Sequence, residues 1–155
     1  VAGSLKRLRM IAQPSVEERK CFLTPALAQG RKIFGLAAHL YALRGKKPSA
    51  LGNFATLRDF SETARETGAA FAGINPLHHL FPTDRGRASP YQPSDRRFID
   101  PIYIDVDAPE AIRFGSLRHI DYEAAWPVIK RALAAEFHRF EAQRPDAPKL
   151  PGILR

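Results

Sequence analysis

Residues 53–76 read NFATLRDFSETARETGAAFAGINP and predict a helix followed by a short strand. Asn53 is a residue type that caps helix N-termini, and Gly68 stands where such a helix would end. Between them, apolar side chains recur at helical spacing, at Leu57, Phe60 and Ala64. The apolar run at residues 69–74 and the Asn-Pro pair that ends it then indicate a strand.

A second apolar run, Ile33–Leu43, precedes this helix, and residues 44–49 form a loop between the two. Such a run is typical of a strand covered on both faces, although its periodicity does not exclude a buried helix. The order strand, helix, strand with short connections predicts a βαβ unit with parallel strands. The predicted fold class is therefore α/β.

A long segment, residues 77–101, follows the second predicted strand and carries several prolines, which lower the entropy lost when a loop becomes ordered. Ligands of parallel α/β folds bind at the carboxyl ends of the strands, where this loop begins. Ile102–Val106 is a candidate third strand. Asp121 is a candidate cap of a last helix with Pro127 in its first turn or at its start, and its apolar stripe comprises Ile129, Leu133, Phe137 and Phe140.

Tyr91 is the most distinctive residue of this loop, because it stands between Pro90 and Pro93. A rigid, exposed ring is a platform for the apolar face of a sugar, and the hydroxyl of Ser89 and the amide of Gln92 suit sugar hydroxyls. A tyrosine packed on its own prolines is the equally good alternative.

Two other pairs of side chains are candidates for chemistry. His78 and His79 suggest a metal site, but no third ligand stands at a suitable spacing. Asp105 and Asp107 would share one face of the predicted third strand as an acid/base pair. Acids in such places more often end a strand and bond nearby backbone.

The positive charge of the chain is concentrated in its first third. The 155 residues carry a net charge of +8. Residues 1–50 hold ten Lys or Arg against two Glu, whereas residues 51–155 hold fourteen basic and fourteen acidic residues. This distribution fits a nucleic-acid-binding surface, with Leu5–Ala12 as a basic strand, but it fits an ordinary solvated surface better.

Cys21 is the only cysteine, which excludes an intramolecular disulfide and fits a reducing compartment. We expect it to be a small packed residue. No apolar run approaches the ~20 residues of a membrane span, and the first residues carry no apolar segment of the signal-peptide type.

Three segments together resemble the 4-alpha-glucanotransferase family, also called amylomaltase or disproportionating enzyme. They are Gly35-Leu-Ala-Ala-His-Leu-Tyr-Ala-Leu-Arg44, Gly68-Ala-Ala-Phe-Ala-Gly-Ile-Asn-Pro-Leu-His-His-Leu-Phe-Pro82 and Ser89-Pro-Tyr-Gln-Pro-Ser-Asp-Arg-Arg-Phe-Ile-Asp-Pro-Ile-Tyr-Ile-Asp-Val106. The resemblance departs from the family pattern in three places: Asn53 replaces an acid, Asp100 stands where Asn is common, and His39 stands where Gln is frequent.

The resemblance implies a (β/α)8 TIM barrel and the transfer of α-1,4-glucan segments between maltodextrins by a retaining two-carboxylate mechanism. It also implies Tyr91 as a stacking residue, Ser89 as a polar contact to glucan, a cytoplasmic protein, and no metal or organic cofactor. The catalytic carboxylates are expected outside this chain. No nucleic-acid or membrane partner is implied, and the oligomeric state stays open.

A complete barrel takes roughly 200–250 residues, so the resemblance implies a fragment holding the opening βα units and the first substrate loop. Residues 1–31 would end an upstream region, residues 32–143 would form the opening units with the substrate loop at 77–101, and residues 144–155 would be a proline-rich tail. We expect this chain alone to be marginally stable and inactive. The alternatives are a non-catalytic glucan-binding remnant and a small basic nucleic-acid-binding protein.

Overall fold

The computed structural model describes residues 21–116 and 118–143, and the chain divides into two units, Val1–Ile33 and Phe34–Arg155. In the first unit, helix α1 spans Pro25–Ala28, and the Thr24 side chain caps it. Cys21 is exposed, so the prediction of a packed cysteine is wrong: it precedes α1 in irregular chain, and α1 itself buries no residue. The candidate strand Leu5–Ala12 and the tail at 144–155 lie outside the described residues.

The second unit begins with the predicted βαβ arrangement. Strand β1 is Gly35–Ala38, helix α2 is Phe54–Glu66 and strand β2 is Phe71–Ile74. The two strands pair in parallel, with Gly35 opposite Phe71 and Ala38 opposite Ile74. The α/β class and the parallel pair are therefore confirmed.

Helix α2 begins and ends where its sequence predicts. Asn53 Oδ1 accepts a hydrogen bond from Thr56 N at 3.1 Å, and Thr56 Oγ1 accepts one from Asn53 N at 2.7 Å, which forms a capping box. At the other end Gly68 adopts a φ of 82°, and Ala69 N bonds back to Ala64 O at 3.0 Å. This is the Schellman ending that favours glycine.

Strand β1 is shorter than the apolar run that predicted it. After Ala38 the chain turns into a short 3-10 helix, Leu40–Ala42. It leaves the sheet because Leu40 N donates to the side chain of Asn75 instead of to a neighbouring strand. The residues of β1 are partly or fully exposed in the described structure, so the expected cover on both faces is not seen there.

The predicted strand at Ile102–Val106 is wrong. Asp100 caps a short 3-10 helix, Pro101–Tyr103, and its Oδ1 accepts from Ile102 N at 2.9 Å. The strand of this region lies earlier: β4, Asp95–Ile99, pairs antiparallel with the two-residue strand β3, His78–His79. The long loop therefore contains a small sheet of its own.

The last helix, α3, spans Tyr122–Gln143. Asp121 Oδ1 accepts from Ala124 N at 2.9 Å, as expected of a cap. Pro127 lies in the second turn and not in the first, so the helix begins earlier than the proline suggested. Of its apolar stripe, Ile129 is buried and Phe140 is exposed. Among the described residues, no helix combines the length and the apolar content that crossing a membrane requires.

The core of the second unit lies between the loop segments and α3. Its buried apolar residues are Leu40, Ala50, Leu51, Ile102, Tyr103, Ala111, Ala125 and Ile129. Backbone segments approach closely here at two glycines. A Cβ added at Gly52 would collide with Leu40 O, and one added at Gly115 would collide with Ala50 O. The core therefore holds the segments after β1 and after the long loop in a fixed relation.

Candidate functional site

Strands β1 and β2 end side by side, and one buried side chain joins their carboxyl ends. Asn75 directly follows β2, and its Oδ1 accepts a hydrogen bond from Leu40 N at 2.7 Å. Its Nδ2 donates to Pro76 O at 2.8 Å. Asn75 thus fixes the chain where it leaves β1, including His39, the first residue after that strand.

The ring of Tyr91 lies beside this strand end, and the residue is 55% exposed. It meets the ring of His39 edge to face, with 6.5 Å between the centroids and an interplanar angle of 90°. His39 in turn stacks on Tyr41, at 5.2 Å and 24°. The three rings form an aromatic row at the carboxyl end of the parallel pair, in geometries that aromatic pairs prefer.

The loop holds Tyr91 through its neighbours. Pro90 is buried while Tyr91 is exposed. Gln92 N donates to Ser89 O at 3.2 Å, which closes a turn around the tyrosine, and Arg96 Nη2 reaches Tyr91 O at 3.4 Å. The ring is therefore presented to solvent on an anchored backbone.

Asp100 fastens the base of this loop and is completely buried. Its Oδ2 accepts from Leu80 N and from Arg85 Nη1, each at 2.7 Å, while its Oδ1 accepts from Ile102 N. His79 Nδ1 stands 3.6 Å from Oδ2. One carboxylate thus ties the entrance and the exit of the loop together.

Arg85 is the buried partner of Asp100, with 4% of its surface exposed. Its guanidinium lies 3.8 Å above the centroid of the Trp126 ring, which joins the loop to α3. Nε and Nη2 have no hydrogen-bond partner among the described residues.

Nearby, burial and the charge of Asp100 raise the pKa of Tyr103 to about 12, against opposing contributions from Asn75 and Arg85.

A cavity of about 420 Å³ opens beside the ring of Tyr91. Ser89 and Tyr91, the two residues expected to contact glucan, both line it. None of its described lining residues is an aspartate or a glutamate. The full lining comprises Tyr41, Ala42, Arg44, Ala88, Ser89, Pro90, Tyr91, Ser116, Arg118, His119, Ile120 and Tyr122. Gln92, the other polar candidate of the loop, does not line the cavity.

The remaining sequence candidates lie apart from this cavity. Asp105 accepts from Asn53 Nδ2 at 2.8 Å and Asp107 stands 3.6 Å from Lys47 Nζ, so each acid has its own partner in irregular chain. His78 and His79 form β3. Across residues 21–116 and 118–143, no group of three or more His, Cys, Asp or Glu is placed to hold a metal ion.

The sequence model of the 4-alpha-glucanotransferase family matches residues 38–150, which include the turn after β1, the loop and α3. The chain belongs to the 4-alpha-glucanotransferase family. A 4-alpha-glucanotransferase of Haemophilus influenzae is 33% identical over 114 residues, covering 73% of this chain. One from Mycobacterium bovis is 32% identical over 140 residues, covering 74% of it.

These 4-alpha-glucanotransferases are much longer proteins than the chain. It spans 16% of the length of the Haemophilus relative and 19% of the Mycobacterium one. Among solved structures, amylomaltase from Corynebacterium glutamicum is 30% identical with a TM-score of 0.46, over 72% of this chain and 15% of that one.

Sequence reasoning missed the residues that surround Tyr91 in this glucanotransferase-family chain. The sequence marks His39 only as a departure from the family pattern, and it gives no site role to Arg44, Arg118 or Tyr122. His39 could have been found, because it directly follows the last residue of β1. The others come from distant parts of the chain, and only the fold brings them together.

Proposed function

We propose that this chain supplies a glucan-binding surface of a 4-alpha-glucanotransferase that acts on maltodextrins in the cytoplasm. The ring of Tyr91 receives the apolar face of a glucose unit, and the hydroxyl of Ser89 bonds to a sugar hydroxyl. The observation that carries this proposal is the exposed ring of Tyr91, anchored at the carboxyl end of two parallel strands beside a cavity.

The energy of this contact comes mainly from apolar surface. At about 25 cal/mol per Å², covering roughly 60 Å² of ring and sugar contributes about 1.5 kcal/mol, or roughly tenfold in affinity. The row formed with His39 and Tyr41 keeps the ring oriented, so little entropy is lost when a sugar packs on it.

Transfer by a retaining mechanism needs two carboxylates about 5–5.5 Å apart, a nucleophile and an acid/base. The cavity beside Tyr91 has no Asp or Glu among its described lining residues, which supports placing both groups outside this chain. We expect the chain alone to bind glucan without transferring it. Strands β1 and β2 with α2 are proposed as opening units of a (β/α)8 barrel, consistent with their parallel pairing.

The same acid-free lining favours a second candidate, a glucan-binding protein without activity. The two candidates differ in the gene product that carries this chain: a transferase converts maltotriose into glucose and longer maltodextrins, and a non-catalytic protein does not. Reading the coding DNA beyond Arg155 for an Asp and a Glu at barrel strand ends also separates them.

Calorimetric titration of the purified 155-residue chain with maltotriose tests the binding proposal, after circular dichroism has shown that each variant is folded. Tyr91→Ala is expected to weaken binding roughly tenfold, whereas Tyr91→Phe keeps most of it. Phe98→Ala is the matched control, because Phe98 is also an exposed aromatic residue of the loop and does not line the cavity. Equal affinity of the parent chain and Tyr91→Ala would contradict the proposal.

A further inference from the structure

The cavity beside Tyr91 is rich in cationic donors and hydroxyl groups and has no carboxylate among its described lining residues. The cationic donors are Arg44 and Arg118. The imidazole of His119 and the hydroxyl groups of Ser89, Ser116, Tyr41, Tyr91 and Tyr122 complete the polar lining. A lining of this kind is complementary to a group that only accepts hydrogen bonds and carries negative charge.

Arg44 holds a fixed positive charge at this cavity. Its Nη1 donates to Tyr41 O at 3.0 Å and to Leu43 O at 2.9 Å, and its Nη2 donates to Ser116 O at 2.6 Å. All three acceptors are neutral carbonyl groups, and Arg44 makes no ion pair with a described residue. Since a guanidinium has five N–H donors, two make no hydrogen bond to a described residue.

Arg118 brings a second unpaired charge to the cavity. Its side chain is exposed and makes no ion pair with any residue in the described part of the chain. Ser116 Oγ accepts hydrogen bonds from Arg118 N at 3.2 Å and from His119 N at 2.9 Å. Arg118 can therefore close on a bound anion from an anchored position.

The charge of Arg44 has a small effect on the ionisation of Tyr122. Burial raises the pKa of Tyr122, and the neighbouring Tyr103, Tyr41 and Asp100 act in the same direction. Arg44 opposes them, so its charge reaches the ring that lines the cavity.

We infer that this cavity binds a phosphate group carried by a sugar whose ring packs on Tyr91. Arginine suits phosphate because its planar donors match two oxygens at once. The inference rests on the proposed glucan contact at Tyr91 and extends its ligands to hexose phosphates and phosphorylated α-glucans.

The test is calorimetric titration of the 155-residue chain with glucose 1-phosphate, glucose 6-phosphate, inorganic phosphate, glucose and maltotriose. At least one hexose phosphate should bind ten times more tightly than glucose, and its affinity should fall as salt is added. Arg118→Gln should weaken that binding about tenfold, because it removes a charge-assisted hydrogen bond, and should weaken maltotriose binding much less. Arg131→Gln removes the same charge from an exposed site on α3 and should change neither. Arg118 is chosen over Arg44, whose bonds to three carbonyls support the fold.

Each outcome separates the inference from the proposed function. The inference is wrong if hexose phosphates bind no better than glucose, or if Arg118→Gln does not change their affinity. In either case, maltotriose binding that depends on Tyr91 still supports the proposed function. If inorganic phosphate binds as tightly as the hexose phosphates, the sugar contributes nothing to binding and the inference of a sugar-borne phosphate is wrong. Hexose phosphate binding that survives Tyr91→Ala unchanged overturns the sugar contact of the inference, whereas maltotriose binding that survives Tyr91→Ala unchanged overturns the proposed function.

Discussion

The ring edge of Tyr91 meets the ring of His39, with 6.5 Å between their centroids. His39 directly follows β1, and Tyr91 is seventeen positions beyond the end of β2, in the loop. The contact therefore joins the long loop to the carboxyl end of the parallel strands. If Tyr91 receives a sugar, His39 acts as its positioning residue.

Replacing His39 tests this support. An aromatic pair contributes about 0.5–1.5 kcal/mol beyond burial, so His39→Ala should weaken maltotriose binding roughly two- to tenfold. His39→Phe keeps a ring at this position and should keep most of the affinity. Calorimetric titration measures both variants, and an unchanged affinity in His39→Ala would show that Tyr91 needs no support from this side.

Removing the Asn75 side chain should destabilise the fold. Asn75→Ala leaves the buried Leu40 N without its acceptor, which costs about 1–3 kcal/mol. Urea unfolding followed by circular dichroism gives the change in free energy of unfolding. Gln92→Ala, on the exposed part of the loop, is the control and should change it by less than about 0.5 kcal/mol. Equal effects of the two substitutions would contradict the role of Asn75.

Breaking the buried pair of Arg85 and Asp100 should cost far more than breaking an exposed pair of the same loop. Arg85→Met leaves a buried carboxylate without its cation and should lower the free energy of unfolding by about 3–5 kcal/mol. Arg97→Met removes the partner of Asp95 in a solvent-screened pair and should change the free energy of unfolding far less. Trp126 is the only tryptophan, and the Arg85 guanidinium lies over its ring. Its fluorescence should therefore change in Arg85→Met and stay unchanged in Arg97→Met.

The charge pair does not stabilise the loop if both variants lose a similar free energy of unfolding. The same conclusion follows if Trp126 fluorescence is unchanged in Arg85→Met. The measurements are urea unfolding and tryptophan emission of the folded proteins.

Stability should fall at alkaline pH because of Tyr103. Its folded pKa of about 12 exceeds the unfolded value near 10, so the folded state holds the phenol proton more tightly. This contribution is fully present below pH 10 and is lost as the pH rises towards 12. In Tyr103→Phe the free energy of unfolding should decline less steeply over that window. The decline should not vanish, because burial also raises the pKa of Tyr122. An equal slope in the variant and the parent would contradict this assignment.

The βαβ arrangement was predictable because its signals are local. Asn53 and Gly68 mark the two ends of α2 through their own backbone and side-chain bonds, whatever surrounds them. The same holds for Asp121 at the start of α3. Placing a loop with Tyr91 after β2 followed from this order of elements.

The interior of the loop was not predictable in the same way. Ile102–Val106 has the composition of a strand, but Asp100 and Pro101 turn it into a 3-10 helix through a side-chain cap. Arg85 gives no sign of burial in the sequence, and its place depends on Asp100 and Trp126 from distant segments. The lining of the cavity is likewise set by packing across the chain.

The most direct test of the sugar contact at Tyr91 is an aromatic NMR titration of the chain with ring-labelled tyrosine. The chain has four tyrosines, and Tyr103, which is buried, serves as the internal control. The signal that disappears in Tyr91→Phe identifies Tyr91. We predict that this signal shifts as maltotriose is added while that of Tyr103 stays in place. Saturable maltotriose binding that leaves the Tyr91 signal unmoved would contradict the account.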